Sequence, residues 1–248
     1  MPSVDLALIA ASGAILLAAF TQGLTGFGFA LVGAPLLLFV LEPRAVVITN
    51  TVLALVVCVL ILAESWRHVR LRRIAPLLAG AVFGLPLGAY IISNVAPGTL
   101  KLAISGVIVV FAIPLLLGHR HRFQREGVTS LGAGFASGVL ATSTSLGGPP
   151  VVLFLLNQGW GKEEMRASLS GYFFLLGLLS VASLAVAGIA LGDSASQALY
   201  LLPALLAGVF VGSRLMPRVA ADLHHRLSAG VIILTGLAGL GTGLAALL

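Results

Sequence analysis

Two short stretches hold most of the chemistry this chain can offer. One reads Thr21-Gln22-Gly23-Leu24-Thr25-Gly26-Phe27-Gly28, the other Thr142-Ser143-Thr144-Ser145-Leu146-Gly147-Gly148-Pro149-Pro150. Each lies between apolar stretches. Glycine lets the backbone leave helical geometry, and Pro149 suits the first turn of a helix that starts again. A helix restarting there aims its free N–H groups and positive dipole end at the space in front of it. Thr21, Gln22, Thr25, Thr142, Ser143, Thr144 and Ser145 add polar side chains, and Gly23, Gly26, Gly28, Gly147 and Gly148 bring the backbone close. Together they would hold a small anion without a buried cation. Asn50 and Asn157, amides at the ends of apolar segments, are further candidates, equally suited to capping or bridging helices. Taken singly, each of these residues is ordinary packing material of membrane helices. A break at matching places in two halves is not.

Other chemistry is thinly represented. Asp5, Glu42, Glu64, Glu126, Glu163, Glu164, Asp193 and Asp222 all fall at segment ends or in loops, which leaves no carboxylate relay inside a span. Lys101, Lys162 and Arg166 sit near segment ends and read as solvated boundary charges. His68, His119, His121, His224 and His225 lie in basic loops without metal-binding spacing. No metal, nucleotide or flavin site is expected, and no cofactor. A serine hydrolase would need a histidine at the depth of its serine, so an enzyme is not expected either. Cys58 stands alone in an apolar run and reads as packing.

The elements that must position the two breaks follow from hydropathy. Apolar residues make up 59% of the 248 and charged residues 9%, where a soluble domain carries about a quarter. Leu6–Leu41, Ala45–Ala63, Ile74–Leu100 and Ala167–Gly192 carry no charge. About 20 apolar residues cross the hydrocarbon layer as a helix, and continuous apolar runs lack the alternation of a barrel strand. The fold class is all-α, a polytopic integral membrane protein. The net charge of +6 comes from arginines between apolar runs, as in Arg67–Arg73 and Arg120–Arg125. That pattern marks cytoplasmic loops rather than a nucleic-acid surface. The partner is membrane lipid, with homo-oligomer formation left open.

The chain also resembles itself. An offset of 115 pairs Phe20 with Phe135, Gly23 with Gly138, Gly33 with Gly148 and Pro35 with Pro150. Leu77–Gly80 matches Leu205–Gly208, and Gly84 falls over Gly212. The expected organisation is a first membrane repeat at 1–118, a basic cytoplasmic linker at 119–126 and a second repeat at 127–248. Each repeat holds about five helical segments, the first two forming a Gly/Pro-broken pair. Loop charges place both termini outside the cytoplasmic membrane and invert one repeat relative to the other, a plan common among secondary transporters. Arg44 stands against this orientation, since it falls on the outer side.

Gln22-Gly23-Leu24-Thr25-Gly26-Phe27-Gly28 with Gly33-Ala34-Pro35, and Gly147-Gly148-Pro149-Pro150-Val151-Val152-Leu153-Phe154, resemble the motifs of the TauE/SafE sulfite exporter family, also called the toluenesulfonate uptake permease family. The resemblance covers essentially the whole chain, with Phe27 and Phe29 interrupting the glycine run frequent in the family. It implies movement of sulfite, a sulfonate or a related organosulfur or carboxylate anion across the membrane. The expected function is secondary transport of such an anion by alternating access. A passive anion channel and a structural or assembly protein are the alternatives.

Overall fold

The computed structural model describes residues 2–116, 126–156, 161–189 and 192–218. Nine α-helices occupy these residues: α1 Pro2–Thr25, α2 Phe29–Leu37, α3 Pro43–Ser65, α4 Leu71–Asn94, α5 Pro97–Leu116, α6 Glu126–Thr144, α7 Gly148–Leu156, α8 Lys162–Val186 and α9 Gly192–Leu215. Short 3₁₀ turns, Trp66–His68 and Met216–Arg218, follow α3 and α9. Stretches within α1, α3, α4, α8 and α9 are long and apolar enough to cross a membrane. The polytopic all-α class is therefore correct. α2 and α7 have nine residues each, about 13 Å of helix and less than half the hydrocarbon thickness. Residues 119–125 of the expected basic linker and the fifth segment of the second repeat lie outside the described residues, as does Asn157; Glu126 opens α6.

Helices in lipid gain little from the hydrophobic effect against one another, so close backbone packing must hold them. Two glycine seams provide it. A Cβ added to Gly80, Gly84 or Gly88 of α4 would come under 3.0 Å from the carbonyl oxygens of Leu131, Phe135 and Val139 of α6. In return, Gly134 and Gly138 face the carbonyls of Leu77 and Ala81. The positions rise together, so α4 and α6 run parallel. The α1–α9 pair repeats the arrangement, with Gly208 on the carbonyl of Leu16, Gly212 on that of Phe20, and Gly23 on that of Val209. Adding 115 to an α1 position and 128 to an α4 position converts one seam into the other: Leu16·Gly208 corresponds to Leu131·Gly80, and Phe20·Gly212 to Phe135·Gly84.

The offset of 115 does not survive the break. α2 and α7 start at 29 and 148, and α3 and α8 at 43 and 162, both 119 apart. α6 runs four residues further past the shared seam than α1 does, from Gly138 to Ser145 against Gly23 to Gly26. Four residues are close to one helical turn, so the added length keeps the same face toward the core. Gly33 and Pro35 consequently lie inside α2, whereas Gly148 and Pro150 open α7. Their match at 115 is a coincidence of a glycine- and proline-rich chain rather than a structural equivalence.

α3 and α8 cross the middle of the bundle antiparallel, with Gly177 against Leu55 near their centres and His68 3.9 Å from Glu163 at one end. That end is basic. Arg70 pairs with Glu164, and its backbone N–H donates to Ser168 Oγ at 3.0 Å. At the opposite end Arg44 donates to the carbonyl of Ser93 at 3.1 Å, one residue before the end of α4. A cation at a helix C-terminus meets the negative end of the dipole and orphan carbonyls. This contact gives Arg44 a local reason to stand where the loop-charge pattern disfavours it.

Candidate functional site

Both breaks are built from the same turn. At the first, Thr25 Oγ1 lies 2.7 Å from the Phe27 carbonyl and accepts the Phe27 N–H at 3.3 Å. At the second, 119 positions on, Thr144 Oγ1 accepts the Leu146 N–H at 3.4 Å. The next residue in each takes the left-handed backbone, Gly26 at φ 84° and Ser145 at φ 60°. Gly26 is constrained twice, because a Cβ there would also strike Cα of Arg166 at 2.8 Å. Ser145 bears a side chain in a region that L-residues disfavour. Its hydroxyl accepts from Asn50 Nδ2 of α3 at 3.3 Å. A second tie holds this break from behind: Tyr172 of α8 donates to Ser137 Oγ at 2.8 Å, which donates to the Gly147 carbonyl at 2.5 Å.

Between the breaks lies a cavity of about 70 Å³. At about 10–15 Å³ per water it holds roughly five waters, or a small oxyanion. Ala54, the middle residue of α3, and Phe173, Leu176 and Gly177 near the middle of α8 line it, so it sits at mid-span. Gln22, Gly28, Asn50, Ser145, Gly147, Gly148 and Pro149 line it as well. Gln22 Nε2 also donates to Cys58 Sγ at 3.4 Å, which fixes the amide against α3. No lining residue is charged.

The remaining sequence candidates have other tasks. Thr21 donates to the Leu17 carbonyl at 2.8 Å, Thr142 to Gly138 at 3.1 Å, Ser143 to Val139 at 2.7 Å and Thr144 to Leu140 at 2.7 Å. These are bonds back to the preceding helical turn, which spare a hydroxyl in lipid an unpaired proton. Thr25 forms the turn, and Gly23 packs in the α1–α9 seam with its carbonyl under Arg166.

Arg166 corrects the expectation of a solvated boundary charge. It is 7% exposed and reaches from α8 to Gly23 O at 3.1 Å and Ser213 Oγ at 2.8 Å. The guanidinium thus closes the C-terminal end of α1 and ties α8 to α9. Proximity to a segment end was the only signal, and it does not separate a cap from a solvated charge. Ser180 and Thr51 also line the cavity. In sequence, each is one more small polar residue in a helix.

Donors are unequal on the two sides of the cavity. Val32 N–H bonds to the Gly28 carbonyl at 3.0 Å, so Phe29, Ala30 and Leu31 are the first-turn donors of α2, with no carbonyl one turn earlier in the helix. α7 begins Gly148-Pro149-Pro150, and proline has no N–H. The second break therefore offers a dipole but few backbone donors. Asn50 Oδ1 and Ser180 Oγ are buried without a hydrogen-bond partner. Buried polar atoms are seldom left so, and where they gather at a cavity they point to a ligand.

A family model, Sulfite exporter TauE/SafE, matches residues 11–239. No curated protein and no solved structure matches the chain.

Proposed function

The chain belongs to the sulfite exporter TauE/SafE family, and from that premise we propose that it is a secondary transporter whose substrate site is the mid-span cavity between the two breaks. The family makes it a membrane transporter of sulfur anions such as sulfite. The observation that carries the site is the cavity itself: both breaks reach it, and unpartnered polar atoms surround it. Gln22, Asn50, Ser145 and Ser180 serve as polar ligands. The first turn of α2 supplies backbone donors, and α7 supplies the field of its N-terminus.

Residues 1–118 and 127–248 act as two repeats of inverted orientation. The interchangeable glycine seams and the antiparallel α3–α8 crossing support this reading. Transport proceeds by rocking of the α1–α9 and α4–α6 pairs around the antiparallel α3–α8 core, which opens the cavity alternately to each side. The protein resides in the cytoplasmic membrane with the basic end inside, in keeping with the positive-inside bias.

Counterflow of labelled sulfite into proteoliposomes tests this reading. Gly148→Leu would project into the cavity toward Phe173, 3.5 Å from the added Cβ, and Gln22→Leu removes a polar ligand. Both variants should lose saturable counterflow while keeping the wild-type melting temperature. Unchanged counterflow in both would refute the site.

A further inference from the structure

We infer that the cavity accepts its anion in a proton-bearing, singly charged form, so that a dibasic oxyanion carries a proton through the protein on itself. The inference rests on the reading that this cavity is the transport site. Three independent features of the cavity lead to it.

First, its lining is uncharged. Neither a cation nor an acid is among the lining residues, and Arg166 is committed to Gly23 and Ser213. Taking an ion out of water costs free energy that grows with the square of its charge, so a dianion costs roughly four times what a monoanion costs. Neutral donors must offset all of it. Second, donors are scarce, because Pro149 and Pro150 remove two N–H groups from the first turn of α7. Third, the cavity offers an acceptor. Asn50 lines the cavity, is fully buried, and its Oδ1 has no partner; that oxygen packs so close to Gly33 that a Cβ there would lie 2.6 Å away. An oxyanion stripped of protons presents acceptors only and leaves Oδ1 unpaired. A hydroxyl on the anion supplies the missing donor, and its other oxygens take the N–H groups of α2. Ser180, whose hydroxyl is also unpartnered, can donate to the same anion.

The bookkeeping needs no carboxylate relay. The O–H of the singly charged anion crosses intact, and the proton leaves to water on the far side wherever the pH there lies above the last ionisation of the acid. Protein groups that could mimic such a dependence stand away from Asn50 on its neighbours. Glu42 precedes α3, which carries Arg44, Cys58 and Glu64, and α8 carries Glu163, Glu164, Arg166 and Tyr172. Lys101 lies on α5, Tyr200 and Arg214 on α9, and His68 in the turn after α3. α2 has no ionisable residue, and α1, α6 and α7 have none among the side chains described.

Binding to the purified full chain in nanodiscs, measured across a pH series, is the test. Sulfite and selenite serve as dibasic probes, and methanesulfonate as a monoanion of fixed charge without a hydroxyl. The Kd for total sulfite or selenite should rise about tenfold per pH unit above the last ionisation of each, at two different pH values. Methanesulfonate should bind more weakly and show no such rise. Asn50→Leu should abolish the preference for the proton-bearing anions. A flat Kd for sulfite and selenite, with binding still weakened by Gln22→Leu and Ser180→Ala, would overturn the proton-bearing form and leave the site standing. A rise shared by all three probes at one pH would assign the proton to the protein and overturn it equally. Binding indifferent to Gln22→Leu and Ser180→Ala would remove the site and this inference with it.

Discussion

Replacing Gly84 and Gly212 by alanine, singly and together, tests whether the two halves are built alike. Gly84 faces the Phe135 carbonyl in the α4–α6 seam, and Gly212 faces the Phe20 carbonyl in the α1–α9 seam. Each new Cβ would sit under 3.0 Å from a backbone oxygen, which cannot turn away as a side chain could. Comfortable C···O contact needs about 3.3–3.6 Å. From 2.2–2.3 Å the shortfall is about 1–1.4 Å, which the helices must make up by parting or shifting at that level. A gap of about 0.5–1 Å forfeits a quarter to a half of the contact energy across the seam. The cost should be about 1–3 kcal/mol per alanine, as for other over-packed sites, offset slightly by the better helix propensity of alanine. Two separate seams imply near-additive costs in the double variant, within about 0.5 kcal/mol. Reversible unfolding of purified protein in mixed micelles, followed by circular dichroism, measures all three. Should Gly84→Ala cost this much and Gly212→Ala nothing, the equivalence of the seams would be refuted, and with it the strongest support for two like halves.

Three further outcomes follow from single contacts. Gly33→Ala should push the Asn50 amide off Ser145, since its Cβ meets Oδ1 at 2.6 Å; anion affinity should fall about tenfold, the worth of about 1.4 kcal/mol, in a titration where the melting curve barely moves. Arg166→Met should destabilise by about 1–3 kcal/mol, because the Gly23 carbonyl and the Ser213 hydroxyl lose a buried donor together; unfolding in micelles reads it, and no measurable loss would contradict the bridging role. Thr142→Val should leave anion binding unchanged, since that hydroxyl is spent on the Gly138 carbonyl; a clear loss of affinity would return Thr142 to the site.

The membrane-helical class and the location of both breaks were legible because each follows from local chemistry: apolar runs of sufficient length, interrupted by Gly and Pro. Which polar residues face the cavity was not legible, and the reason is rotational. Thr142, Ser143, Thr144 and Ser145 are consecutive, so about 100° separates each from the next around a helix. Only Ser145 escapes the helix, through its left-handed backbone, and only its side chain meets Asn50. Arg166 was misread for a related reason. A cation at a span end is solvated or bonded according to what packs over it, and the Gly26 turn packs over Arg166 from more than a hundred residues away. By contrast, the shortage of donors at the second break was available in sequence, since Pro149-Pro150 announces two missing N–H groups.

That shortage bears on how the two breaks divide their work. If α2 and α7 were equivalent anion hooks, a substrate held between them would be gripped equally from both ends of the bundle. Phe29, Ala30 and Leu31 keep their N–H groups in the first turn of α2, whereas Pro149 and Pro150 remove two from that of α7, so the two breaks are unequal as anion hooks. The second break instead is the more tightly held, through Tyr172–Ser137–Gly147 and Asn50–Ser145. The first break hangs on Arg166 at the basic end and on the N–H···S hydrogen bond of Gln22 to the Cys58 thiol, a weak acceptor. Symmetry of scaffold with asymmetry of site is what a carrier needs if the anion is to bind on one side more tightly than on the other. Under the alternating-access reading proposed above, like seams would let the halves move alike, and unlike breaks would set which of them keeps the substrate.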